Sequence, residues 1–507
     1  MLLGNLLFRT AQLHGDGPAF AGCAQMWHWE ESLQRIRRLA SGLLAARPGR
    51  VAILAHNSVA YLELSFALPM AGIPMVPLNT RLAAPELRQL IADANPGLLI
   101  ADGAHAELAR ALADEQGCEL LLVEDENSAS WQALMADTPA DPVPTDERED
   151  WAIIYTGGTT GLPKGVRVTR AGFGFNLQHI LRDLDWGPRP RFLQVTPLFH
   201  LAALGPGFAV AAWGGCQHLL PQFSIDGLVD ALERHRIEAT ALVPTMITWL
   251  VGRDDLGSRD LSTLRAIGYG ASAIPEAVLR RALERFPGLR FNQFYGQTEA
   301  SGGLATLRAT DHDLAHPTRL RAAGQPVVGV RLAILDEQGG EVPRGTWGEV
   351  CAQTPGLFAG YLNNPEATAF ATRDGWLHTG DVGFIDEEGY LHITDRLKDM
   401  IVTGGENVSS SEVESAILRH DAVREAAVVA APDPEWGERV HAFVSLKPGA
   451  ALDHAALVAH CRTLIAGYKC PRSSDISETP LPLSAVGKIR KDLLRARARG
   501  EGDAAVG

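Results

Sequence analysis

The sequence contains no C-x-x-C pair. Its six cysteines, Cys23, Cys118, Cys216, Cys351, Cys461 and Cys470, follow no regular spacing, which argues against a structural metal or a redox motif and for reduced thiols. Positive charge is also scarce. Forty-six Lys and Arg stand against sixty Asp and Glu, a net charge of −14, so nucleic acid is not expected as a partner, because phosphate-backbone binding needs clustered cations. No long hydrophobic run is present: the most apolar stretch, 202–220, is broken by Gly205, Pro206, Gly207, Gly214 and Gly215 and is no continuous membrane span. The amino terminus has no basic leader region, and Asn5 and Arg9 interrupt its apolar part. No signal peptide is expected, and the location reads as cytoplasmic.

What is present is an ordinary globular composition, 46% hydrophobic and 21% charged, over 507 residues, too long for a single core. Leu33, Ile36, Leu39, Leu43 and Leu44 recur at helical spacing in 30–46, and Val51–Leu54 follows as a short buried strand. The alternation continues with helices near 58–71 and from 84, and with strands at 75–78 and 98–100. It resumes at 192–195, 241–243 and 264–267, predicting α/β layers with largely parallel sheets. From Gly324 to His392, short β-like runs between Gly turns predict a small antiparallel sheet or β-barrel. A smaller α+β unit follows, with helices at 411–419 and 453–465 and strands at 426–430 and 440–446. The expected division is 1–395, a short link at 396–398, a carboxy-terminal unit at 399–495 and a frayed tail at 496–507.

Within this frame the segment from Tyr155 to Gly165 carries the most chemistry. Gly157, Gly158, Gly161 and Gly165 let backbone N–H groups approach anionic oxygens, Thr156, Thr159 and Thr160 add hydroxyls, and Lys164 adds a mobile cation. It is not a Walker A loop, since Pro163 precedes the lysine and Gly165 follows it. Alone it reads as a nucleotide loop or as a surface turn.

Three later segments narrow the choice: Tyr295-Gly296-Gln297-Thr298-Glu299; Thr379-Gly380-Asp381 with Asp395-Arg396-Leu397-Lys398; and Pro482-Leu483-Ser484-Ala485-Val486-Gly487-Lys488. In this order the four resemble the adenylate-forming superfamily of acyl-CoA synthetases, peptide-synthetase adenylation domains and luciferases, over nearly the whole chain. The resemblance implies ATP, Mg²⁺ and coenzyme A as cofactors, a small-molecule carboxylic acid as substrate, and a carboxy-terminal domain that moves. A homodimer is among the assemblies it allows.

The substrate carboxylate is ionised near neutral pH, so the first step needs no general base. Its difficulty is the meeting of two anions, and positive charge around the α-phosphate is the main requirement. Thr156, Thr159, Thr160 and Lys164 fit a cradle for departing pyrophosphate. By resemblance, Thr298 holds the α-phosphate side and Glu299 the Mg²⁺. Tyr295 presents a ring to adenine, bordered by Gly270, Ala271 and Ser272 and by Gly296 and Gln297. Asp381 accepts from the ribose hydroxyls, and Arg396 reaches the same sugar or the phosphate. Lys488 matches the lysine that bridges carboxylate and α-phosphate. Lys398 takes the hinge position, about which rotation withdraws Lys488 and presents a thiol tunnel bordered by Gly404 and Gly405. Taken singly, Tyr295 could be a core tyrosine, Asp381 a turn aspartate and Lys488 a solvated lysine.

The acyl pocket is expected from Phe199, His200, Leu201, residues 268–272 and Ser301 to Gly303, with His200 grouped with the catalytic set yet acting as a wall. Trp436 and Tyr468 match positions near the CoA nucleotide in aryl-CoA ligases, or are packing residues. Three departures stand out: Gly158 for the commoner Ser, Gln297 for Met or Thr, and Cys470 where a basic residue is frequent. The leading reading is an acid–CoA ligase for a medium, long, cyclic or aromatic acid. The alternatives are an enzyme loading a separate carrier protein, a non-catalytic nucleotide-binding relative, and a luciferase-type oxygenase.

Overall fold

The computed structural model describes residues 2–22, 25–156, 163–396, 399–403, 406–434, 436–484 and 488–501. Helix Trp29–Ala46 forms where the spacing predicts it. Leu33, Ile36, Leu39 and Leu43 are all buried along one stripe, and Arg47 ends the helix in the left-handed conformation. Strand Val51–Leu54 comes next, every residue buried, as a strand covered by helices on both faces must be.

Two large sheets share the main core. The first has six strands in the order Glu119–Val123, Leu98–Asp102, Val51–Leu54, Met75–Pro77, Asp150–Thr156 and Lys164–Thr169, parallel except for the last pair. The second has nine, and its six central strands, from Arg290–Gln297 through Ala266–Gly270 to Pro18–Ala21, run parallel. Between them Trp151 stacks on Phe173 at 3.6 Å. Asn57, just past the first sheet's Val51–Leu54, binds across to the second. Its amide donates to the carbonyls of Thr196 and Leu220, and its oxygen accepts from Leu198 N–H at 2.9 Å.

The run after Gly324 takes the open form of the two expected. Strands Arg331–Leu335, Gly348–Gln353, Leu377–Ile385 and Leu391–Arg396 pair in sequence, antiparallel, and the first and last do not close a barrel among the described residues. The following unit is a five-stranded sheet built on the long hairpin Val423–Asp433 with Gly437–Leu446, covered by helices Ser410–Ile417, His454–Arg462 and Lys491–Ala498.

Two local expectations shift. The strand expected at 264–267 is Ala266–Gly270, because Leu264 N–H bonds back to Leu261 and leaves the ladder. The tail expected from 496 begins later: the last helix runs to Ala498, anchored by Leu494, which is fully buried against Ala427, Val429 and Phe443. Among the described residues, no helix is long and apolar enough to cross a membrane.

Candidate active site

Three strands of the large sheets finish at residues singled out in the sequence: Asp150–Thr156, Ala266–Gly270 and Arg290–Gln297. Their carboxyl ends are where open α/β sheets bind ligands. Thr156 and Lys164 are paired Cα to Cα across the hairpin, so the two ends of the intervening segment are held side by side. Gly157, Gly158, Thr159, Thr160 and Gly161 lie outside the described residues.

Lys164 and Glu299 meet at a residue that sequence reasoning missed. Segment 359–362 hydrogen-bonds along the outer edge of Lys164–Thr169, with Leu362 N–H donating to Gly165 at 2.7 Å and Val166 bridging Tyr361. Tyr361 therefore lies between the two motifs. Its phenol donates to Glu299 Oε1 at 2.9 Å, and the Lys164 ammonium sits 4.9 Å above its ring, a cation–π contact. Burial, then the Glu299 charge, pushes the Tyr361 phenol well above its ordinary range, so it stays a donor. Glu299 is half-buried in the short turn Thr298–Ala300, and its carbonyl is fixed by Phe358 N–H. A lone Tyr before the helix start at Asn364 gives no sequence sign of these partners.

Glycine at 296 is required by close approach, since a Cβ there would stand 1.9 Å from the Gly302 carbonyl. Beside it the Tyr295 phenol donates to Asp381 Oδ2 at 2.7 Å. Asp381 is only 5% exposed, on strand Leu377–Ile385, which excludes the turn-aspartate reading. Its backbone is set by Thr379, whose hydroxyl accepts from Asp381 N–H and donates to the Val350 carbonyl. Arg396 pairs with Asp381 through its Cα position, while its side chain lies outside what is described. Gly270 admits no Cβ, which would meet the Phe294 carbonyl at 2.5 Å, and exposed Ala271 turns the chain at φ 69°. Ser272 follows half-buried.

His200 precedes helix Leu201–Ala212, its ring against Phe199. The residue is half-buried, yet its Nε2 is sealed from solvent with no partner. Burial first, then the positive charges of Lys488 and Arg81, push it down to about 3. It is therefore neutral at physiological pH. The charge of Lys488, from the carboxy-terminal unit, is thus near enough to act on the His200 ring. Lys488 is held by Ser484, its N–H donating to Ser484 Oγ and its carbonyl accepting from Ser484 N–H.

Trp436 and Tyr468 are both partly exposed, at 38% and 44%, against the core-packing alternative. The Arg472 guanidinium lies 4.2 Å over the Trp436 ring, a positive group two positions beyond buried Cys470. Lys398, Gly404 and Gly405 lie outside the described residues.

The family described as "AMP-binding enzyme" matches residues 7–362, and "AMP-binding enzyme C-terminal domain" matches 412–488. A feruloyl-CoA synthase of Amycolatopsis sp is 38% identical over 500 residues, spanning 98% of this chain and 99% of that protein. A fatty acid–acyl-carrier-protein ligase, ScoC, of Streptomyces coeruleorubidus is 35% identical over 93% of this chain and 92% of its own. Among solved structures, the amide bond synthetase McbA from Marinactinospora thermotolerans superposes with a TM-score of 0.88 at 32% identity, over 98% of this chain and 99% of that one. On these matches the chain belongs to the AMP-binding enzyme family, on its acid–CoA ligase branch.

Proposed function

We propose that this ligase activates a bulky, mainly apolar acid, aromatic, cyclic or of medium to long chain, and that free CoA is its acceptor. In the first step a carboxylate oxygen attacks the α-phosphorus of ATP and the bond to pyrophosphate breaks. In the second, the CoA sulfur attacks the acyl carbon, its proton passes to solvent, and AMP leaves. The observation that supports this reading is the meeting of two motifs at Tyr361, whose phenol donates to Glu299 at 2.9 Å while the Lys164 ammonium lies 4.9 Å over its ring, a cation and a carboxylate gathered where the phosphates of ATP would lie.

Lys164 and Thr156 then steady the pyrophosphate, Thr298 the α-phosphate, and Asp381 with Tyr295 the ribose. Glu299, partly buried and bonded by a neutral phenol, fits a Mg²⁺ ligand with Tyr361 orienting it. Bound there, Mg²⁺ would offset phosphate charge. His200 serves as a neutral pocket wall. Trp436 offers a face to the CoA nucleotide, and Arg472 the charge that Cys470 does not bring. We infer a cytoplasmic location, in keeping with the five cysteines that are unpaired among the described residues.

The test is pyrophosphate release over a panel of acids, with thioester formation measured on CoA and on pantetheine. CoA should be much the better acceptor, and Trp436→Ala should raise its KM while leaving pantetheine and ATP–pyrophosphate exchange unchanged. The likeness to ScoC favours a second reading, transfer to a separate carrier protein. Equal use of CoA and pantetheine, or acceptance only by a phosphopantetheinylated protein, would put that reading in its place.

A further inference from the structure

Away from the nucleotide motifs, two imidazoles and a carboxylate converge at the carboxyl ends of neighbouring parallel strands. His56 follows Val51–Leu54, Asp102 closes Leu98–Asp102, and His105 lies in the turn Gly103–His105. His56 Nδ1 is 2.9 Å from Asp102 Oδ2, and His105 Nδ1 is 2.5 Å from Asp102 Oδ1. One ligand atom from each of the three lies within 4.8 Å of the others. The carboxylate is held by backbone as well, accepting from His56 N–H at 2.8 Å and His105 N–H at 3.1 Å. Gln222, from the turn after Cys216–Leu219, brings its amide to 2.8 Å from His56 Nε2. The three side chains are 13% to 25% exposed, sheltered but open to a solute.

An aspartate capping a turn accounts for the backbone bonds but not for an imidazole on each oxygen. Two imidazoles and one carboxylate make a donor set suited to late first-row divalent ions. A single carboxylate is poor for Ca²⁺ or Mg²⁺, and the absence of sulfur disfavours Cu(I). We propose that His56, Asp102 and His105 bind a cation of the Zn²⁺ class, with water completing the coordination and Gln222 bonded to the far nitrogen of His56. Each imidazole presents a bare nitrogen to the ion, and the proton now shared with Asp102 passes to solvent. The bound ion fixes the His56 ring, and through its far nitrogen the loop carrying Gln222 is tied to the first sheet. The next residue, Asn57, already binds Thr196 and Leu198 on the loop that leads to His200, so the tie lies beside the acyl side of the site.

The test uses the full chain, stripped with a chelator and free of nucleotide, titrated with Zn²⁺ by calorimetry and with Co²⁺ by absorption. One equivalent should bind, raise the melting temperature, and give Co²⁺ ligand-field bands without a thiolate charge-transfer band. Asp102→Asn, which keeps an accepting oxygen for the backbone, and His105→Gln should each weaken binding by about tenfold or more, with their far-UV spectra in chelator unchanged. Failure to saturate at millimolar metal overturns the proposal, as does equal affinity in the variants. A thiolate band would also overturn it, by assigning the ion to the cluster of Glu349, Cys351 and His378.

Discussion

The Tyr295 phenol donates to Asp381 Oδ2 at 2.7 Å, joining residues 86 apart in sequence. Tyr295 belongs to the nine-stranded sheet and Asp381 to the small antiparallel one, so this bond sets the carboxylate against the end of the larger sheet. A hydrogen bond to a charged acceptor contributes about 1.5 kcal/mol or more. Tyr295→Phe keeps the ring and removes the donor. It should raise the KM for ATP in pyrophosphate release roughly tenfold, with thioester formation from supplied acyl-AMP much less affected. An unchanged KM for ATP would separate this pair from nucleotide binding.

Glu299 and Lys164 meet through Tyr361 rather than directly. If the carboxylate is the Mg²⁺ ligand, the phenol orients it, and loss of such a partner lowers metal affinity by about 10- to 100-fold. Tyr361→Phe should shift the Mg²⁺ concentration for half-maximal adenylation upward within that range, with activity recovered at high Mg²⁺. Glu299→Gln should not recover. A Mg²⁺ titration of both variants separates the roles, and identical curves for Tyr361→Phe and the parent would remove Tyr361 from the metal's surroundings.

The parallel layers were legible because buried strands such as Val51–Leu54 are continuous apolar runs between helical stripes. The four motifs were legible because glycines and charged residues cluster within each. What joins the motifs was not, since Tyr361 reaches Glu299 and Lys164 only after segment 359–362 pairs with a distant strand edge. His56 and Asp102, 46 residues apart, are brought together by strand pairing, which leaves no periodic trace. The end of the last helix, 496–498, read as tail because the segment is rich in Arg, Gly and Ala. Arg472 was overlooked because its stacking on Trp436 is a tertiary contact.

Buried histidines give a pH dependence of stability. Burial pushes His312 down to about 4, and burial with the neighbouring His235 and Arg191 does the same to His218. The unfolded chain protonates these groups near their ordinary value of about 6.5, so between there and about 4 the unfolded state binds more protons. Their contribution is fully present above the upper limit and lost as pH falls through the window. Melting temperature should therefore decline from pH 7 to 4.5, and His312→Gln should flatten the decline. The same slope in the variant would assign it to other groups. His200, pushed lower still, should add no inflection to the pH–rate profile, and His200→Leu should keep the parent's inflections.

Lys488 offers the sharpest separation of the two half-reactions. Its charge acts on His200 from the carboxy-terminal unit, and in the proposed role it serves the site while that unit faces the acyl side. Removing a preorganised donor to developing charge costs about 10²- to 10³-fold or more in rate, and Lys488→Ala should lose at least that much in acyl-AMP formation from acid and ATP. Attack of CoA on supplied acyl-AMP needs no such bridge, since the acyl group is already activated and AMP is a good leaving group. That half-reaction should keep most of its rate. The two are measured apart, by ATP–pyrophosphate exchange and by thioester formation from synthetic acyl-AMP. The variant should also let His200 titrate closer to its ordinary range, because one of the two cations depressing it is gone, a change readable by NMR of the ring protons. Equal losses in both half-reactions would mean that Lys488 holds the fold of its unit and not the reacting groups.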